Sequence, residues 1–121
     1  MNNEIRKIVE MALSAKKKII IYPFGEIGKQ VKRMLNLEYG VEEALLIDNV
    51  LSRFDAQIKS VDVFCGGDWD DYVVVLASTN YAIYLELKTT LLKYFPEERI
   101  IEIERMKKNK SDGATYKYRK I

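Results

Sequence analysis

The sequence predicts an α/β fold in which a doubly wound parallel sheet, of strand order 3-2-1-4-5, is covered by helices on both faces. Two apolar runs, "IIIY" at 19–22 and "YVVVLAST" at 72–79, are rich in β-branched residues and do not alternate with polar ones. Such runs are typical of strands buried on both faces of a parallel sheet. Segments with helical spacing alternate with the runs, and this alternation indicates right-handed βαβ units.

Three amphipathic helices are expected, one before the first strand, one directly after it and one after the fourth strand. The first covers residues 4–14, the second residues 26–37 and the third residues 81–95, each with apolar residues recurring at helical spacing. Gly40 is placed to end the second helix, and Pro96 ends the third because proline cannot continue a helix.

The remaining strands are shorter or weaker. We expect them at 41–49 ("VEEALLIDN"), at 59–64 ("KSVDVF") and at 99–104 ("RIIEIE"). The segment 50–58 is irregular or forms a single turn. The last strand alternates in part, as strands at a sheet edge do.

Length and charge indicate one domain with a basic tail. The chain has 121 residues, which suits a single domain, and we place that domain at 1–105. Residues 1–105 carry 14 Lys/Arg and 17 Asp/Glu, whereas residues 106–121 carry six Lys/Arg and one Asp. Because the body is acidic, nucleic acid is not expected as a partner.

Several classes of chemistry are excluded by composition. The chain has no histidine and one cysteine, Cys65, so it contains no Ser-His-Asp triad, no Cys-His dyad and no His-ligated zinc. No metal is expected at the acidic segment 68–71, whose side chains are typical of a solvated loop. No apolar run approaches the ~20 residues of a membrane span. With no signal peptide at the start, the cytoplasm is the expected location.

The turn after the first strand resembles a dinucleotide-binding fingerprint, G-x-G-x-x-G. The three glycine positions fall on Pro23, Gly25 and Gly28, so the second and third are retained. The N–H groups that open the next helix are then able to face an anion. Phe24 stands where a small residue is usual and Glu26 opposes a phosphate, so a turn kept only for packing is the alternative.

Asp48 favours the binding interpretation. It lies 20 residues after Gly28, at the end of the second strand, where the fingerprint places a ribose-binding acid. An acid there accepts hydrogen bonds from ribose hydroxyls and repels a 2′-phosphate, so NAD(H) is favoured over NADP(H). The alternative is that Asp48 and Asn49 cap the strand and open a turn.

Polar residues also follow the fourth strand. Ser78 and Thr79 would lie opposite the glycine turn and could hydrogen-bond a ligand. A residue of the segment 78–80 could equally be the N-cap of the third helix, and the preference of Ser, Thr and Asn for that position favours the cap.

The outline of the chain resembles the Rossmann-like modules of bacterial surface-polysaccharide enzymes that bind NAD or a nucleotide sugar. It is similar to the N-terminal domains of nucleoside-diphosphate-sugar dehydratases, epimerases and acetyltransferases, and to the small domains that accompany FkbM-type methyltransferases. The resemblance runs from Lys17 to Ile103 through "KKIIIYPFGEIGKQVKRML", "ALLIDN", "DDYVVVLAST" and "LLKYFPEERIIEI". Members usually carry Gly-Ala-Gly where this chain has Pro23-Phe24-Gly25. The resemblance implies cofactor contacts at Phe24, Gly25, Glu26, Ile27, Gly28, Asp48, Asn49, Ser78 and Thr79.

Two functions follow as hypotheses. In the first, the chain is a nucleotide-binding module for NAD(H) or a sugar nucleotide in polysaccharide or glycan biosynthesis. Such a module could form part of a nucleotide-sugar oxidoreductase or of a larger enzyme. In the second, it is a degenerate, non-catalytic domain used for association with a second copy or another domain, or as the accessory domain of a methyltransferase. The sequence names no general acid or base, so whether the chain is an enzyme stays open.

Overall fold

The computed structural model of the chain describes residues 2–102 and has a five-stranded, all-parallel sheet at its centre. The strand order is β3-β2-β1-β4-β5, which confirms the predicted fold class and order. The tail predicted at 106–121 lies outside the described residues. The strands are β1 (Lys18–Tyr22), β2 (Leu45–Ile47), β3 (Ile58–Lys59), β4 (Tyr72–Leu76) and β5 (Ile100–Glu102), and the helices are α1 (Asn2–Ala15), α2 (Glu26–Glu38) and α3 (Tyr81–Leu91).

The two central strands carry the apolar runs that predicted the sheet. All five residues of β1 pair with β4, from Lys18 opposite Tyr72 to Tyr22 opposite Leu76. Leu76 in turn pairs with Glu102 of β5. Because neighbouring residues in register share a face, Tyr22, Leu76 and Glu102 lie side by side on one face at the carboxyl edge of the sheet.

Helices cover both faces and divide the core in two. On one face α1 and α2 bury Ile8, Val31 and Leu35 against Ile19 and Ile21 of β1. On the other face α3 and the 3₁₀ helix at 61–64 bury residues against the opposite side of the same strands. This second cluster contains Ile20, Tyr22, Ile47, Phe64, Val74, Leu76, Tyr84, Leu91, Phe95 and Ile100. The alternation of Ile20 and Ile21 between the clusters explains why the β1 run has no polar positions.

Some element boundaries differ from the sequence prediction. Strand β2 spans three residues rather than 41–49, and the strand expected at 59–64 is two residues of β3 followed by a 3₁₀ helix. Ser60 causes the change, since its hydroxyl accepts the N–H of Asp62 and starts the 3₁₀ turn. Helix α3 ends at Leu91 and continues as turns to Phe95, which is still buried.

A charged cluster ties α3 to the edge strand β5. Lys88 is 8% exposed and Glu102 is 7% exposed, and the ammonium of Lys88 lies 2.8 Å from Glu97 and 2.5 Å from Glu102. The hydroxyl of Tyr84 hydrogen-bonds Glu102, and burial followed by this bond raises the pKa of Tyr84. Leu87 of α3 is only half-buried, whereas its neighbour Lys88 is buried and pairs with Glu102 of β5.

No helix within residues 2–102 is both long and apolar enough to cross a membrane.

Candidate functional site

A cleft opens at the carboxyl edge of the sheet, between the turn after β1, the segment after β2 and the first half of α3. Its volume is about 340 Å³, at the lower end of the roughly 300–1,000 Å³ of small-molecule sites. Ligands of doubly wound sheets bind at this edge. The described residues that line the cleft are Tyr22, Pro23, Gly25, Asp48, Asn49, Val50, Ile83 and Leu87.

Gly25 leaves the start of α2 open to the cleft. It is the N-cap residue, its carbonyl accepts the N–H of Lys29 at 2.9 Å, and it offers no side chain to the N–H groups of the first turn. A Cβ built at Gly25 would have no atom within 4 Å. The fold therefore does not require glycine here, and the space above Gly25 is accessible to a ligand.

Gly28 has a different role, because it is needed for packing. A Cβ at Gly28 would lie 2.5 Å from the carbonyl oxygen of Pro23 and 3.3 Å from side-chain carbons of Ile21 and Phe24. The missing side chain thus lets α2 lie directly against the end of β1. This matches the packing role of the third glycine in the fingerprint.

Phe24 points away from the cleft. Its ring is 9% exposed and packs in the cluster beneath α1 and α2, next to Gly28. Ile27 packs on the same cluster, while Glu26 is exposed at the first position of α2. The large side chain of Phe24, which stands where a small residue is usual, therefore does not fill the space at the start of α2.

Asp48 joins the two turns that form the walls of the cleft. One carboxylate oxygen accepts the N–H of Phe24 at 3.2 Å, and the other accepts those of Val50 and Leu51 at 3.0 and 2.9 Å. The side chain thus fixes the glycine turn to the end of β2 and caps the 3₁₀ helix at 51–53. A carboxylate has about four lone-pair positions, so one remains for a ligand hydroxyl.

Asn49 lines the cleft and also holds the neighbouring segment in place. Its side-chain oxygen accepts the N–H of Val61 at 2.8 Å. The capping interpretation of the Asp48-Asn49 pair and the ligand interpretation are therefore compatible, since the structural bonds use only part of the hydrogen-bonding capacity of the two side chains.

Ser78 and Thr79 do not belong to the lining of the cleft. Ser78 is buried, and its hydroxyl accepts the N–H of Asn80 at 3.3 Å. Asn80 is the N-cap of α3, with its side-chain oxygen accepting the N–H of Ile83. The hydrogen bonds of the segment 78–80 are therefore those of a helix N-cap, with Asn80 as the capping residue.

Tyr22 is a cleft residue that the sequence did not single out. It is 3% exposed, lines the cleft, and forms no hydrogen bond through its hydroxyl to any residue within 2–102. Burial, followed by the carboxylates of Asp48 and Glu86, raises the pKa of Tyr22, so the phenol is protonated at neutral pH. Its position in the sequence could have indicated this role, because Tyr22 carries a hydroxyl and ends a buried strand directly before the glycine turn.

The charges around the cleft are negative. Asp48 lines it, Glu86 acts on Tyr22 from α3, and none of the described lining residues is Lys or Arg. The cations of α2 lie elsewhere: Lys29, Lys32 and Arg33 line a second cavity on the Phe24 side of the helix. A ligand in the cleft therefore meets hydrogen-bond acceptors and apolar surface rather than positive charge.

The remaining chemistry-bearing residues lie apart from the cleft. Cys65 is exposed and its sulfur lies 3.4 Å from the hydroxyl of Tyr94, beyond the C-terminal end of α3. Residues 2–102 contain no group of three or more Cys, Asp or Glu side chains placed to hold a metal ion.

In comparisons with protein-family models, curated proteins and solved structures, nothing matches the chain. Beyond the fold itself, the resemblance to polysaccharide-enzyme modules therefore stays a prediction.

Proposed function

We propose that the chain is a nucleotide-binding module that takes NAD(H) or a sugar nucleotide in the cleft at the carboxyl edge of the sheet. One observation carries the proposal: Gly25 and Asp48, the two fingerprint positions that touch ligand, line the same cleft. A role in bacterial polysaccharide or glycan biosynthesis is part of this proposal and is supported by the sequence resemblance alone.

The arrangement suits the ribose half of a nucleotide. The remaining acceptor position of Asp48 serves a ribose hydroxyl, and the apolar side chains of Val50, Ile83 and Leu87 offer a surface to the base. Gly25 allows close approach of the ligand to the backbone at the start of α2, since a Cβ there would have no atom within 4 Å. A 2′-phosphate would meet Asp48 with no lining cation to compensate, which favours NAD(H) over NADP(H).

The test is a thermal-unfolding panel with NAD+, NADH, NADP+ and UDP-sugars. A ligand present at 100 times its Kd adds about 2.7 kcal/mol to the free energy of unfolding. We expect NAD+, NADH or a UDP-sugar to raise Tm, and NADP+ to raise it less than NAD+ at equal concentration. If none of these ligands raises Tm, the proposed function is wrong.

The site is checked with Gly25→Ser rather than with Asp48→Ala. Asp48 accepts three backbone N–H groups, so its removal perturbs the fold as well as the ligand. Gly25→Ser places a side chain in space that is empty of protein and should remove most of the ligand-induced rise in Tm. A full rise in Gly25→Ser would place the ligand elsewhere. Glu98→Gln, an exposed residue far from the cleft, is the control.

A non-catalytic association domain is the second candidate, and the exposed apolar residues favour it. Val50 and Ile83 are exposed at the mouth of the cleft, and Phe54, just beyond the 3₁₀ helix at 51–53, is 82% exposed. If nucleotides leave Tm unchanged while the mass of the protein in solution rises with concentration, this function replaces the first.

A further inference from the structure

The hydroxyl of Tyr22 lacks the hydrogen bond that a buried phenol normally has. Most buried side-chain polar atoms have a partner, and buried tyrosines satisfy this rule with few exceptions. Tyr84 obeys it in this chain, since its hydroxyl bonds Glu102. Tyr22 is buried as well, at 3% exposure, yet its hydroxyl has no partner among the described side chains and backbone of residues 2–102. The side of Tyr22 that remains open is the cleft it lines.

The surroundings of this hydroxyl determine what a ligand must offer. Asp48 lines the same cleft as Tyr22, and the carboxylates of Asp48 and Glu86, after burial, raise the pKa of its phenol; carboxylate oxygens offer a ligand hydrogen-bond acceptors. The protonated phenol of Tyr22 supplies the donor that the carboxylates lack. A ligand group with both a donor and an acceptor, such as a sugar hydroxyl or a base edge, can accept from the phenol of Tyr22 and donate to a carboxylate.

Phosphate does not fit the same surroundings. None of the described residues that line the cleft is a cation, and Glu26 adds a carboxylate to the first turn of α2. Phosphate recognition in proteins usually relies on Arg or Lys in addition to backbone N–H groups. The side chains of Lys29, Lys32 and Arg33 instead line the second cavity, on the Phe24 side of α2.

We propose that the cleft recognises the nucleoside part of its ligand, with Tyr22 as the hydrogen-bond donor to that nucleoside, and that phosphates contribute little to affinity. This inference rests on the proposed function, because it says which part of the nucleotide the same cleft recognises. Tyr22 is then a specificity-determining residue: a ligand without an acceptor opposite its hydroxyl leaves that hydroxyl buried and unpaired.

The first test compares free nucleosides with their own phosphates. Adenosine, AMP and ADP, and uridine, UMP and UDP, are titrated calorimetrically at low and high salt. For the base that binds, we expect the nucleoside and the diphosphate to differ by no more than about threefold in Kd, with little change between the salts. A diphosphate that binds more than about tenfold tighter than its nucleoside overturns the inference but leaves the proposed function intact. If no compound of either series binds, this inference is overturned, whereas the proposed function is overturned only if the thermal-unfolding panel also shows no rise in Tm.

The second test isolates the hydroxyl. Tyr22→Phe keeps the ring in the core, so the Tm of the free chain should not fall, while the Kd for the nucleoside should rise roughly three- to tenfold. The control is Tyr94→Phe, which removes a hydroxyl bonded to Cys65 beyond the far end of α3 and should leave the Kd unchanged. An unchanged Kd in Tyr22→Phe overturns the role of Tyr22. A fall in Tm of the free Tyr22→Phe chain contradicts the premise that the hydroxyl lacks a partner.

Discussion

At the scale of single residues, the two glycines of the turn after β1 do different work. Gly28 is fixed by its neighbours, because a Cβ would meet the Pro23 carbonyl at 2.5 Å. Gly25 is not, because the space beside it is empty and its backbone is extended, at φ −89° and ψ −151°. Packing thus accounts for Gly28, whereas nothing within 4 Å of a Cβ at Gly25 requires a glycine there.

The same substitution at the two glycines should have opposite effects on stability. Gly28→Ser forces a side chain against backbone and should lower the free energy of unfolding by about 1–3 kcal/mol. Gly25→Ser supplies the N-cap side chain that α2 lacks and should keep that free energy or raise it by a few tenths of a kcal/mol. Urea unfolding followed by circular dichroism measures both. Equal losses in the two variants would mean that the turn needs both glycines for its own conformation.

The sequence predicted which elements meet at the carboxyl edge of the sheet better than it predicted the contacts of individual side chains there. The spacing from Gly28 to Asp48 predicted that both would reach one edge of the sheet, because parallel strands bring their carboxyl ends together. Spacing does not show that Phe24 turns toward α1, nor that the Tyr22 hydroxyl has no partner among the described residues. Both facts depend on which face of β1 each side chain occupies and on what packs there.

At the scale of elements, a polar clamp sets the path from α2 to β2. Lys32 lies 2.8 Å from Glu43, and the side-chain amide of Asn36 donates to Glu43 and to the carbonyl of Val41. Burial alone would raise the pKa of Glu43, but the hydrogen bond from Lys32 and the further hydrogen bonds outweigh it and lower the pKa. The clamp holds the segment 39–44, and therefore the start of the strand that ends at Asp48.

This clamp should give the chain a pH-dependent stability term. The pKa of Glu43 is lower in the folded chain than its ordinary value of 4.5, so the contribution is complete above about pH 4.5 and is lost as the pH falls through the folded pKa. Glu43→Gln should lose about 1 kcal/mol at pH 7 and show a shallower fall in stability below pH 4.5. Urea unfolding at pH 7, 5 and 3.5 measures this. Parallel curves for the variant and the native chain would show that Glu43 is not the group responsible.

The clamp also shows why the sequence predicted β2 too long. The pattern at 41–49 is apolar enough for a strand, yet Val41 and Glu43 hydrogen-bond to side chains of α2 rather than to a neighbouring strand. Such contacts compete with sheet pairing and depend on how α2 packs, which a local pattern does not contain.

At the scale of the whole molecule, the cluster of Lys88, Glu102 and Tyr84 joins the last helix to the last strand. The charges are buried, and a buried pair is sensitive to loss of one partner because the other charge remains desolvated. The same cluster fixes the side chain of β5 that lies in register with Tyr22. The partial alternation of its residues predicted β5 as an edge strand. The sequence did not predict the ion pair, although Lys88 stands among apolar residues of α3.

Removing one member of the pair should cost more than removing both charges. Lys88→Met should lower the free energy of unfolding by about 3–5 kcal/mol, because the buried carboxylate of Glu102 loses the ammonium of Lys88 while it stays buried. Adding Glu102→Gln, which keeps an acceptor for Tyr84, should recover part of that loss. Equilibrium urea unfolding of the two single variants and the double variant gives the coupling between the sites. Additive losses would show that the charges of Lys88 and Glu102 are not energetically coupled.

The overall topology was the most predictable level. Two buried apolar runs, the helical segments between them and the handedness of βαβ units leave few arrangements, and the order 3-2-1-4-5 is one of them. Boundaries were less predictable, because local hydrogen bonds such as those of Ser60 and Asn36 decide where a strand stops.

Trp69, the one tryptophan of the chain, gives the molecule an internal optical reporter. Its ring meets Phe64 and Tyr72 edge-on, at centroid distances of 5.2 and 4.9 Å, and its N–H bonds the carbonyl of Phe64. Tyr72 begins β4, so this aromatic group lies at the amino edge of the sheet, about 13 Å of strand away from the cleft. Intrinsic fluorescence therefore follows loss of the core and is insensitive to direct contact with a bound ligand. With NAD+ or a UDP-sugar as ligand, neither of which absorbs where tryptophan emits, emission from Trp69 in each variant separates a change in folding from a change in occupancy of the cleft.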